Sequence, residues 1–480
     1  MRFSVILRYI GTVMLCVAAF MAVAAGISYM DNDSGYYPLL LSSLLTLLLG
    51  AFPMLFVQKA ETISNKEGFS IVVGSWILAC VVGMFPYLIW GGEFSLIDAW
   101  FESVSGFTTT GATILDNVEA LPQGLLFWRS STCWIGGAGV VMFALVILPS
   151  MGTNKMALSS VELSSLAKDN YRYRTQIIVR ILLMVYVGLT LLTTVLLRVA
   201  GMRWFDALNH AMSACATGGF STKNASIGYF DNPIIEIILI VAMLLASIHF
   251  GLIYATFTRK ANNMFRSEVV RTYGIVIAIG ALSIALSIYL AGLYPTFGQA
   301  VRESVFQFVS IISTTGFATT DTNLWTPFAI MILIVASIVC ACAGSTSGGL
   351  KIDRLLLFVK VFFARLRLQR HPNAVVRIRV DGIVQEESQL DAVMVFIVSY
   401  LCFMLIGTLF NTMFGLDMMT AFSSSAACIG NVGPGFGEVG SLDTYSQLPA
   451  VLKLQDTLLM LMGRLEIFGF IQLLFIKWWR

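Results

Sequence analysis

The sequence contains few charged residues. Asp, Glu, Lys and Arg make up 12% of its 480 residues, whereas 57% of the residues are hydrophobic. A soluble domain carries about 25% charged residues, so this composition excludes an ordinary soluble protein and predicts an integral membrane protein. The formal net charge of +3 is too small to indicate a nucleic-acid partner.

The residues that usually carry enzyme or metal chemistry are also scarce. Three histidines and eight cysteines are present, and no two cysteines have CxxC spacing. Cys340 and Cys342 have no further cysteine or histidine near them in the sequence, so inert buried thiols are favoured over a metal pair. No HExxH, Ser-Lys pair or paired intramembrane aspartates occur, which argues against an enzyme. No GxGxxG motif lies between a predicted strand and helix, so any nucleotide control requires a partner chain.

Long apolar stretches dominate the sequence instead. A membrane-spanning helix needs about 20 apolar residues. About ten stretches meet this requirement, near residues 4–29, 37–58, 69–90, 125–148, 176–199, 233–257, 269–293, 326–350, 391–414 and 449–477. An even number of spans places both termini on the same side of the membrane.

The distribution of Lys and Arg predicts the orientation of these spans. Both residues concentrate in the loops after the second, fourth, sixth and eighth spans, and most of all in 351–381. The loops on the opposite side carry mainly Asp and Glu. Because basic loops remain in the cytoplasm, we expect both termini to be cytoplasmic.

A pattern of span, short half-helix, glycine turn and span occurs four times. The turns read TTTGAT around Gly111, CATGGFS around Gly218, STTGFAT around Gly316 and GNVGPGF around Gly433, and they are about 100 to 120 residues apart. The first half-helix is predicted over 95–107. Non-helical backbone at membrane depth must be buried in protein or line water, so the repeated turns predict the lining of a cavity.

The turns have the composition of a cation filter. Backbone carbonyls can replace the hydration shell of a cation, glycine adopts the required backbone angles, and Thr and Ser add hydroxyl oxygens. Half-helices that point their C-terminal ends at the cavity favour a cation there, and each is predicted to begin near an acidic residue. Those residues are Asp98, Asp206, Glu303 and Asp417. The candidate ligands are Thr109, Thr110, Gly111, Ala216, Thr217, Gly218, Thr314, Thr315, Gly316, Asn431, Val432 and Gly433.

Six motifs carry a resemblance to a known family. They are NKEGFSIVVGSW (65–76), FWRSSTCWIGGAGVVMF (127–143), ATGGFST (216–222), STTGFATTD (313–321), CAGSTSGGLKIDR (342–354) and GNVGPGFG (430–437). The chain resembles the Trk/Ktr/HKT superfamily of potassium transporters, and specifically its bacterial TrkH-type family. The resemblance implies an all-α integral membrane fold with four tandem helix–pore helix–filter–helix repeats around one pore, preceded by two extra transmembrane helices.

The resemblance also implies a division of the chain and a function. The division is 1–62 for the extra helices, 63–150, 175–258 and 268–352 for pore repeats 1 to 3, 353–387 for a basic cytoplasmic linker with a hairpin, and 388–480 for pore repeat 4. The implied protein is a homodimer in the bacterial cytoplasmic membrane, in contact with lipid, that takes up K⁺. Channel-like, proton-coupled and sodium-coupled symport remain alternatives. A serine in the first turn marks some sodium carriers, and this chain has Gly111 there, so a sodium or mixed-cation transporter is the alternative function.

Two features on the cytoplasmic half are candidates for control of transport. The eighth predicted span is broken by a run of small and polar residues, namely Gly344, Ser345, Thr346, Ser347, Gly348 and Gly349. Close helix packing is one interpretation, whereas the resemblance implies a gate loop, with Lys351 extending to the membrane surface at its end. Arg464 lies in the middle of the last span, where a charge is costly. The resemblance implies a positive barrier below the filter, and an ion pair with another span is the alternative.

The basic segment 351–381 leads into VVRIRVDGIVQEE (375–387). The alternation of apolar and polar residues around Asp-Gly predicts a β-hairpin. Contact with anionic lipid is one function for this segment. The resemblance implies instead a docking surface for a soluble, TrkA-like nucleotide-binding regulatory subunit.

Overall fold

The fold is almost entirely helical. The computed structural model describes residues 2–58, 64–147, 175–258 and 263–467; the ends of the predicted first repeat and of the last span lie outside these ranges. Within them, six helices are long and apolar enough to cross a membrane, or up to seven spans if a bent pair of helices is counted as one. This is fewer than the about ten stretches that hydropathy predicts.

The first two helices form an antiparallel pair, α1 (Phe3–Asp31) and α2 (Tyr36–Phe56). They cross at two glycines, because a Cβ atom on Gly11 would lie 2.6 Å from the carbonyl oxygen of Gly50. Small residues permit such close backbone contact where lipid provides no hydrophobic drive for association. The prediction of two N-terminal spans is confirmed.

Pore repeat 1 contains four helices, which are α3 (Asn65–Gly83), α4 (Phe85–Trp90), α5 (Leu96–Phe107) and α6 (Gln123–Ile147). Ser95 caps α5 by accepting a hydrogen bond from the Asp98 amide at 3.2 Å. The 12 residues of α5 rise about 18 Å at 1.5 Å per residue, which is too short to cross a bilayer core. The predicted half-helix at 95–107 is confirmed.

Pore repeats 2 and 3 have the same order of elements. Their helices are α7 (Thr175–Val199), α8 (Trp204–Ala216), α9 (Pro233–Ala246), α10 (Phe250–Phe257), α11 (Glu268–Leu290), α12 (Phe297–Ile312) and α13 (Pro327–Val339). The short helices α8 and α12 each follow a long span, as α5 follows the span that α3 and α4 form together. They are the pore helices of these repeats.

Helix α14 (Ile352–Arg370) and a two-stranded hairpin, β1 (Arg379–Val380) and β2 (Ile383–Val384), connect repeats 3 and 4. Repeat 4 consists of α15 (Glu387–Met413), α16 (Met418–Gly430) and α17 (Ala450–Arg464). A short 3₁₀ helix follows the glycine turn of every repeat, at Val118–Ala120, Ser226–Phe230, Thr322–Leu324 and Gly437–Val439. The repeat therefore extends beyond the turn into the outer loop.

The predicted hairpin is confirmed. Arg379 pairs with Val384 and Val380 with Ile383 in an antiparallel register. Asp381 and Gly382 between them both have positive φ, of 48° and 79°, as a two-residue type I′ turn requires. The preceding basic segment differs from the expected loop, because residues 352–370 form a 19-residue helix.

Three of the spans that hydropathy predicts are broken within the described residues. The predicted span 233–257 is the pair α9 and α10, which is bent by 104°. Ser247 ends α9, and His249 caps α10 by accepting a hydrogen bond from the Gly251 amide at 2.9 Å. The predicted span 326–350 ends as a helix at Val339 and continues as an irregular segment, so the predicted break at its small and polar residues is confirmed. The predicted last span, 449–477, ends as a helix at Arg464 and continues as a turn through Ile467.

The acidic starts of the pore helices are confirmed in three repeats and wrong in one. Asp98 and Asp206 lie in the first turns of α5 and α8, and Asp417 caps α16 by accepting hydrogen bonds from two amides. Glu303 instead lies in the seventh position of α12, whose N-cap is Thr296. The sequence signal for this start is Thr296 followed by Gln299, an S/T-x-x-Q capping pattern, and the Thr296 side chain accepts a hydrogen bond from the Gln299 amide.

Candidate ion-conduction site

All four pore helices end in the same backbone motif. Each helix is followed by one residue with left-handed backbone angles and a φ of 53° to 60°. These residues are Thr109, Thr217, Thr314 and Asn431. The amide of the next residue donates a hydrogen bond to the carbonyl five residues earlier, at 2.8 to 2.9 Å in every repeat. This is the 6→1 hydrogen bond of a Schellman motif. The motif aligns the four repeats independently of their sequences.

The alignment identifies one glycine in each repeat. Two residues after the left-handed residue, φ is positive again, at Gly111 (83°), Gly219 (73°), Gly316 (80°) and Gly433 (100°). The prediction of Gly218 as the equivalent of Gly111 is therefore wrong by one residue. Ala216 is the last residue of α8 and lies before the aligned segment. The two consecutive glycines of repeat 2 give no indication in the sequence of which one adopts the positive φ.

These glycines form a closed ring. A Cβ atom on Gly111 would lie closer than 3.0 Å to the carbonyl oxygen of Gly218 in repeat 2. The same relation joins Gly219 to Thr315, Gly316 to Val432 and Gly433 to Thr110. Each glycine thus abuts the carbonyl that precedes the glycine of the next repeat, and repeat 4 closes onto repeat 1. The four segments surround one axis and leave no room for a side chain.

Two oxygens at the inner end of this ring have no hydrogen-bond partner among the described residues. They are Thr109 Oγ1 and Asn431 Oδ1, both on fully buried side chains. A buried acceptor without a donor is costly. Such oxygens fit a site that a cation occupies, because a cation satisfies acceptors that lack donors.

The outer side of the ring opens into a solvent-accessible funnel. Its wall contains the ring glycines Gly111, Gly219 and Gly316 together with charged side chains of both signs, among them Asp116 and Lys223. The filter segments are therefore accessible from the side of the acidic loops.

The irregular segment 340–351 lies against the inner ends of the ring segments. We call it the gate loop after the role that the sequence predicts for 344–349, and that role stays a prediction. The amide of Gly348 donates to Thr314 Oγ1 at 3.2 Å in repeat 3. Thr346 Oγ1 donates to the carbonyl of Cys215 at 3.1 Å in repeat 2. A Cβ atom on Gly348 would lie 2.5 Å from the Gly430 carbonyl in repeat 4. The loop contacts three of the four repeats directly below the ring.

The break between α9 and α10 supports the gate loop. The Cys342 amide donates to the carbonyl of Ser247 at 3.1 Å, and the Phe250 amide donates to the carbonyl of Gly344 at 3.3 Å. Gly344 has a positive φ of 75° and leaves no room for a Cβ atom beside the His249 ring. Sequence reasoning missed this second broken helix, although a histidine within an apolar run was a signal for it.

Arg464 reaches the gate loop from the last helix. Its side chain is 7% exposed. Nη1 donates to the carbonyl of Thr346 at 2.7 Å, and Nη2 donates to the carbonyl of Gly136 in α6 at 2.8 Å. The guanidinium thus links the loop to repeats 1 and 4. Its position below the ring agrees with the predicted region, and its role as a barrier stays a prediction.

Lys351 does not extend to the membrane surface, so that prediction is wrong. Its side chain is buried, and Nζ donates to Glu466 Oε1 at 2.9 Å. Arg354 donates to the other oxygen of Glu466 at 2.6 Å. Lys351 at the end of the gate loop and Arg354 just after it are therefore anchored to the segment just after α17. Loss of both partners would leave the buried Glu466 carboxylate uncompensated, which is strongly destabilising.

These features together define a class of protein. Four repeats, each with a short pore helix and an irregular filter segment, enclose one axis inside a helical membrane protein, and an irregular loop lies across the inner end. This arrangement is that of a pore-forming cation transport protein.

Comparison with known proteins gives the family. A family model described as TrkH, cation transport protein, matches residues 40–478, and the chain belongs to this family. It is 33% identical over 487 residues to the Trk system potassium uptake protein TrkH of Halomonas elongata, and 33% identical over 488 residues to TrkH of Escherichia coli K12, with each chain fully covered. The crystal structure of the potassium transporter TrkH from Vibrio parahaemolyticus superposes with a TM-score of 0.89 at 32% identity over both whole chains. The predicted fold class is confirmed.

Proposed function

We propose that the chain takes up K⁺ across the bacterial cytoplasmic membrane through the ring of four filter segments. The observation that carries this proposal is the ring itself, in which glycines 111, 219, 316 and 433 abut the carbonyls of the next repeat. The names of the relatives point to the same ion. Among the residues of the filter segments 109–111, 217–219, 314–316 and 431–433 there is no carboxylate, which favours a monovalent over a divalent cation.

The carbonyls and hydroxyls of these segments replace water around the ion. K⁺ loses its hydration shell more readily than smaller cations when a ring of carbonyl dipoles takes its place. The C-terminal ends of α5, α8, α12 and α16 adjoin the ring, and their partial negative charge stabilises a cation there. No resident cofactor is needed for this mechanism, since K⁺ is the transported substrate.

Purified protein in liposomes tests the proposed function. We expect a K⁺ gradient across the liposome membrane to drive K⁺ flux. Na⁺ at equal concentration should neither compete with K⁺ nor carry a comparable flux. Equal flux of both ions would identify the alternative, a sodium or mixed-cation transporter of the same fold. Repeating the assay with and without a proton or sodium gradient distinguishes channel-like flux from symport.

The gate loop and Arg464 close the pathway on its inner side in this proposal. The loop contacts Thr217 in repeat 2 and Thr314 in repeat 3 by hydrogen bonds and packs through Gly348 against Asn431 in repeat 4. Arg464 holds the loop through the Thr346 carbonyl. The positive charge of Arg464 below the ring also repels a passing cation. The ion pairs of Glu466 with Lys351 and Arg354 hold the start of α14 in place. Because α14 follows the gate loop directly in the chain, a movement of α14 that breaks these pairs acts on the loop.

Arg464→Ala is expected to raise basal K⁺ flux at least tenfold, because the lost hydrogen bond to the loop carbonyl of Thr346 is charge-assisted and worth about 1.5–3 kcal/mol, and about 1.4 kcal/mol corresponds to a factor of ten. The ratio of K⁺ to Na⁺ flux should change little, because the ring lies above this contact. Arg464→Lys is the control, since it retains the charge but not the forked geometry, and it should give an intermediate flux. An Arg464→Ala protein that assembles normally and conducts at the wild-type rate would contradict this role.

The basic helix α14 and the hairpin form the proposed docking surface for a soluble, TrkA-like nucleotide-binding regulatory subunit. Arg365, Arg367 and Arg370 are exposed on α14, and Lys360 holds the hairpin by donating to the carbonyl of Arg379 at 2.6 Å. The hairpin is also attached to repeat 3, where Ser267 Oγ donates to Asp381 at 2.8 Å.

The proposal includes a homodimer with one pore per chain, and cytoplasmic placement of both termini.

Replacing Arg365, Arg367 and Arg370 together by Gln is expected to weaken binding of the regulatory subunit about tenfold, since exposed charge pairs contribute about 0.2–1 kcal/mol each. The effect should shrink as ionic strength rises. Binding is measured with the detergent-solubilised protein and a purified TrkA-type subunit. Arg203→Gln, an exposed arginine before pore helix α8, is the control. Unchanged subunit binding with reduced affinity for anionic vesicles would assign α14 to lipid instead.

A further inference from the structure

The pore helices carry a polar side chain at one equivalent position, seven residues before the left-handed residue. These side chains are Glu102, His210, Gln307 and Ser424. All four are buried. Buried polar groups in a membrane are costly and are retained where they have a function, so their contacts indicate what the position does.

In three repeats this side chain binds the residues that follow the filter segment. We call these residues, 112–114, 220–222 and 317–320, the exit segments of repeats 1, 2 and 3. Glu102 accepts from Thr113 Oγ1 at 3.0 Å and from the Ile114 amide at 3.2 Å. His210 Nε2 contacts Ser221 Oγ at 2.9 Å, and Gln307 Nε2 donates to the carbonyl of Thr320 at 3.2 Å. The contacts lie behind the ring, between each pore helix and its own exit segment.

Repeat 4 uses a different contact for the same purpose. Ser424 accepts a hydrogen bond from Asn411 in α15 at 2.8 Å rather than contacting the exit segment. The hydroxyl of Tyr445 donates instead to the carbonyl of the ring glycine Gly433 at 3.0 Å. Each filter segment is thus held from behind, but by a different group.

Of the four equivalent side chains only that of repeat 1, Glu102, is a carboxylate, and it forms an ion pair. Arg129 Nε donates to Glu102 Oε1 at 2.7 Å, and both side chains are at most 2% exposed. Arg129 also donates through Nη2 to Thr113 Oγ1 and through Nη1 to the carbonyl of Ser221, each at 3.2 Å. Its guanidinium lies 4.1 Å from the centre of the Phe220 ring. One arginine therefore contacts the exit segments of repeats 1 and 2 together.

We propose that Arg129, oriented by Glu102, is a positioning residue that sets the separation of the exit segments of repeats 1 and 2 and so determines ion selectivity. The contact spans the same interface at which Gly111 abuts the Gly218 carbonyl. A planar guanidinium holds several acceptors in fixed geometry, which a lysine cannot do. Fixed spacing of the ring carbonyls is what distinguishes cations of different radius. This inference rests on the proposed function, because it needs a potassium-selective ring.

The test compares four variants, Glu102→Gln, Arg129→Gln, the double variant with both changes, and Arg129→Lys. In liposomes, Arg129→Gln and the double variant should lower the ratio of K⁺ to Na⁺ flux at least about fivefold, which corresponds to about 1 kcal/mol. The double variant is informative because it keeps the net charge balanced while it loses the link between the segments. Arg129→Lys keeps the positive charge but not the planar guanidinium. It should conduct more K⁺ than Arg129→Gln and still have a reduced ratio of K⁺ to Na⁺ flux.

A matched control exists in repeat 3. Arg302 forms a two-pronged ion pair with Glu236 at 2.7 and 2.5 Å, between the start of α12 and α9, and these two residues have no described contact with a filter segment. The double variant Glu236→Gln and Arg302→Gln should keep the wild-type selectivity. Thr113→Val removes the hydroxyl that contacts Glu102, Arg129 and the Leu115 amide but keeps the ion pair and the Arg129 contact with Ser221. It should lower the selectivity about twofold, a smaller loss than in Arg129→Gln, because hydrogen bonds of this kind have a modest net strength.

The outcomes separate the inference from the proposed function. If the wild-type chain prefers K⁺ and the charge-balanced double variant keeps that preference, the pair acts through charge or stability and the inference is wrong. If the Arg129 variants fail to assemble, wild-type selectivity in Thr113→Val overturns the inference and reduced selectivity supports it. A wild-type chain without preference for K⁺ overturns both the proposed function and this inference.

Discussion

Gly219→Ala is expected to lower the ratio of K⁺ to Na⁺ flux at least tenfold and to reduce K⁺ flux as well. An alanine at φ 73° is strained, because left-handed backbone costs a residue with a Cβ atom about 1–2 kcal/mol. The added atom also meets the carbonyl of Thr315, which is backbone of the neighbouring repeat and cannot rotate away. Relief of the contact therefore requires the ring to open.

The measurement is flux of both ions in liposomes, and Gly298→Ala is the matched control. Gly298 lies in pore helix α12 with an ordinary φ, and a Cβ atom there meets nothing within 4 Å. This control should behave as wild type. Retained selectivity in Gly219→Ala would show that residue 219 is not equivalent to Gly111, Gly316 and Gly433.

Shortening the gate loop by removal of 344–348 is expected to raise basal K⁺ flux about tenfold to a hundredfold, since several buried hydrogen bonds of about 0.5–1.5 kcal/mol each are lost. The deletion removes the contact of Gly348 with Thr314 and that of Thr346 with Arg464. Selectivity should be retained, because the deleted residues contact the filter only from its inner side. Dependence on the regulatory subunit should weaken.

Thr346→Val is a milder version of the same change. It removes the hydroxyl contacts with the carbonyls of Cys215 and Ala246 but keeps the volume and the backbone carbonyl that Arg464 binds. Basal flux should rise less than in the deletion. A shortened protein that is monodisperse, conducts no faster than wild type and responds fully to its partner would assign the loop to packing and place the gate elsewhere.

The sequence predicts the architecture because each repeat carries local signals. Half-helix 95–107 is shorter than a bilayer and starts at Ser95, which caps α5, and the Asp381-Gly382 turn needs no distant partner to form. Features that depend on contacts between repeats could not be predicted. In repeat 2 both glycines are crowded by other repeats, since a Cβ atom on Gly218 would meet Cys133 and one on Gly219 would meet the Thr315 carbonyl. The sequence alone therefore does not show which of the two is equivalent to Gly111.

The breaks and buried charges show the same limit. Hydropathy averages over a window, so the bend at 247–249 is hidden by the apolar residues on both sides of it. The partner of Lys351 is Glu466, 115 residues away, and periodicity on a single helix cannot reveal such a pair. The link from Arg129 to Ser221 likewise exists only because repeats 1 and 2 meet at the pore axis.

The most direct test of the account is the position of the ion itself. Crystals grown in Rb⁺ or Tl⁺, which substitute for K⁺, allow the ion to be located by anomalous scattering. We expect peaks on the axis at the level of the Thr110, Gly218, Thr315 and Val432 carbonyls, and weaker or absent peaks in Gly219→Ala crystals. Peaks that occupy only the outer funnel or the gate loop region, with none at the ring in the wild-type protein, would contradict the claim that these four segments form the filter.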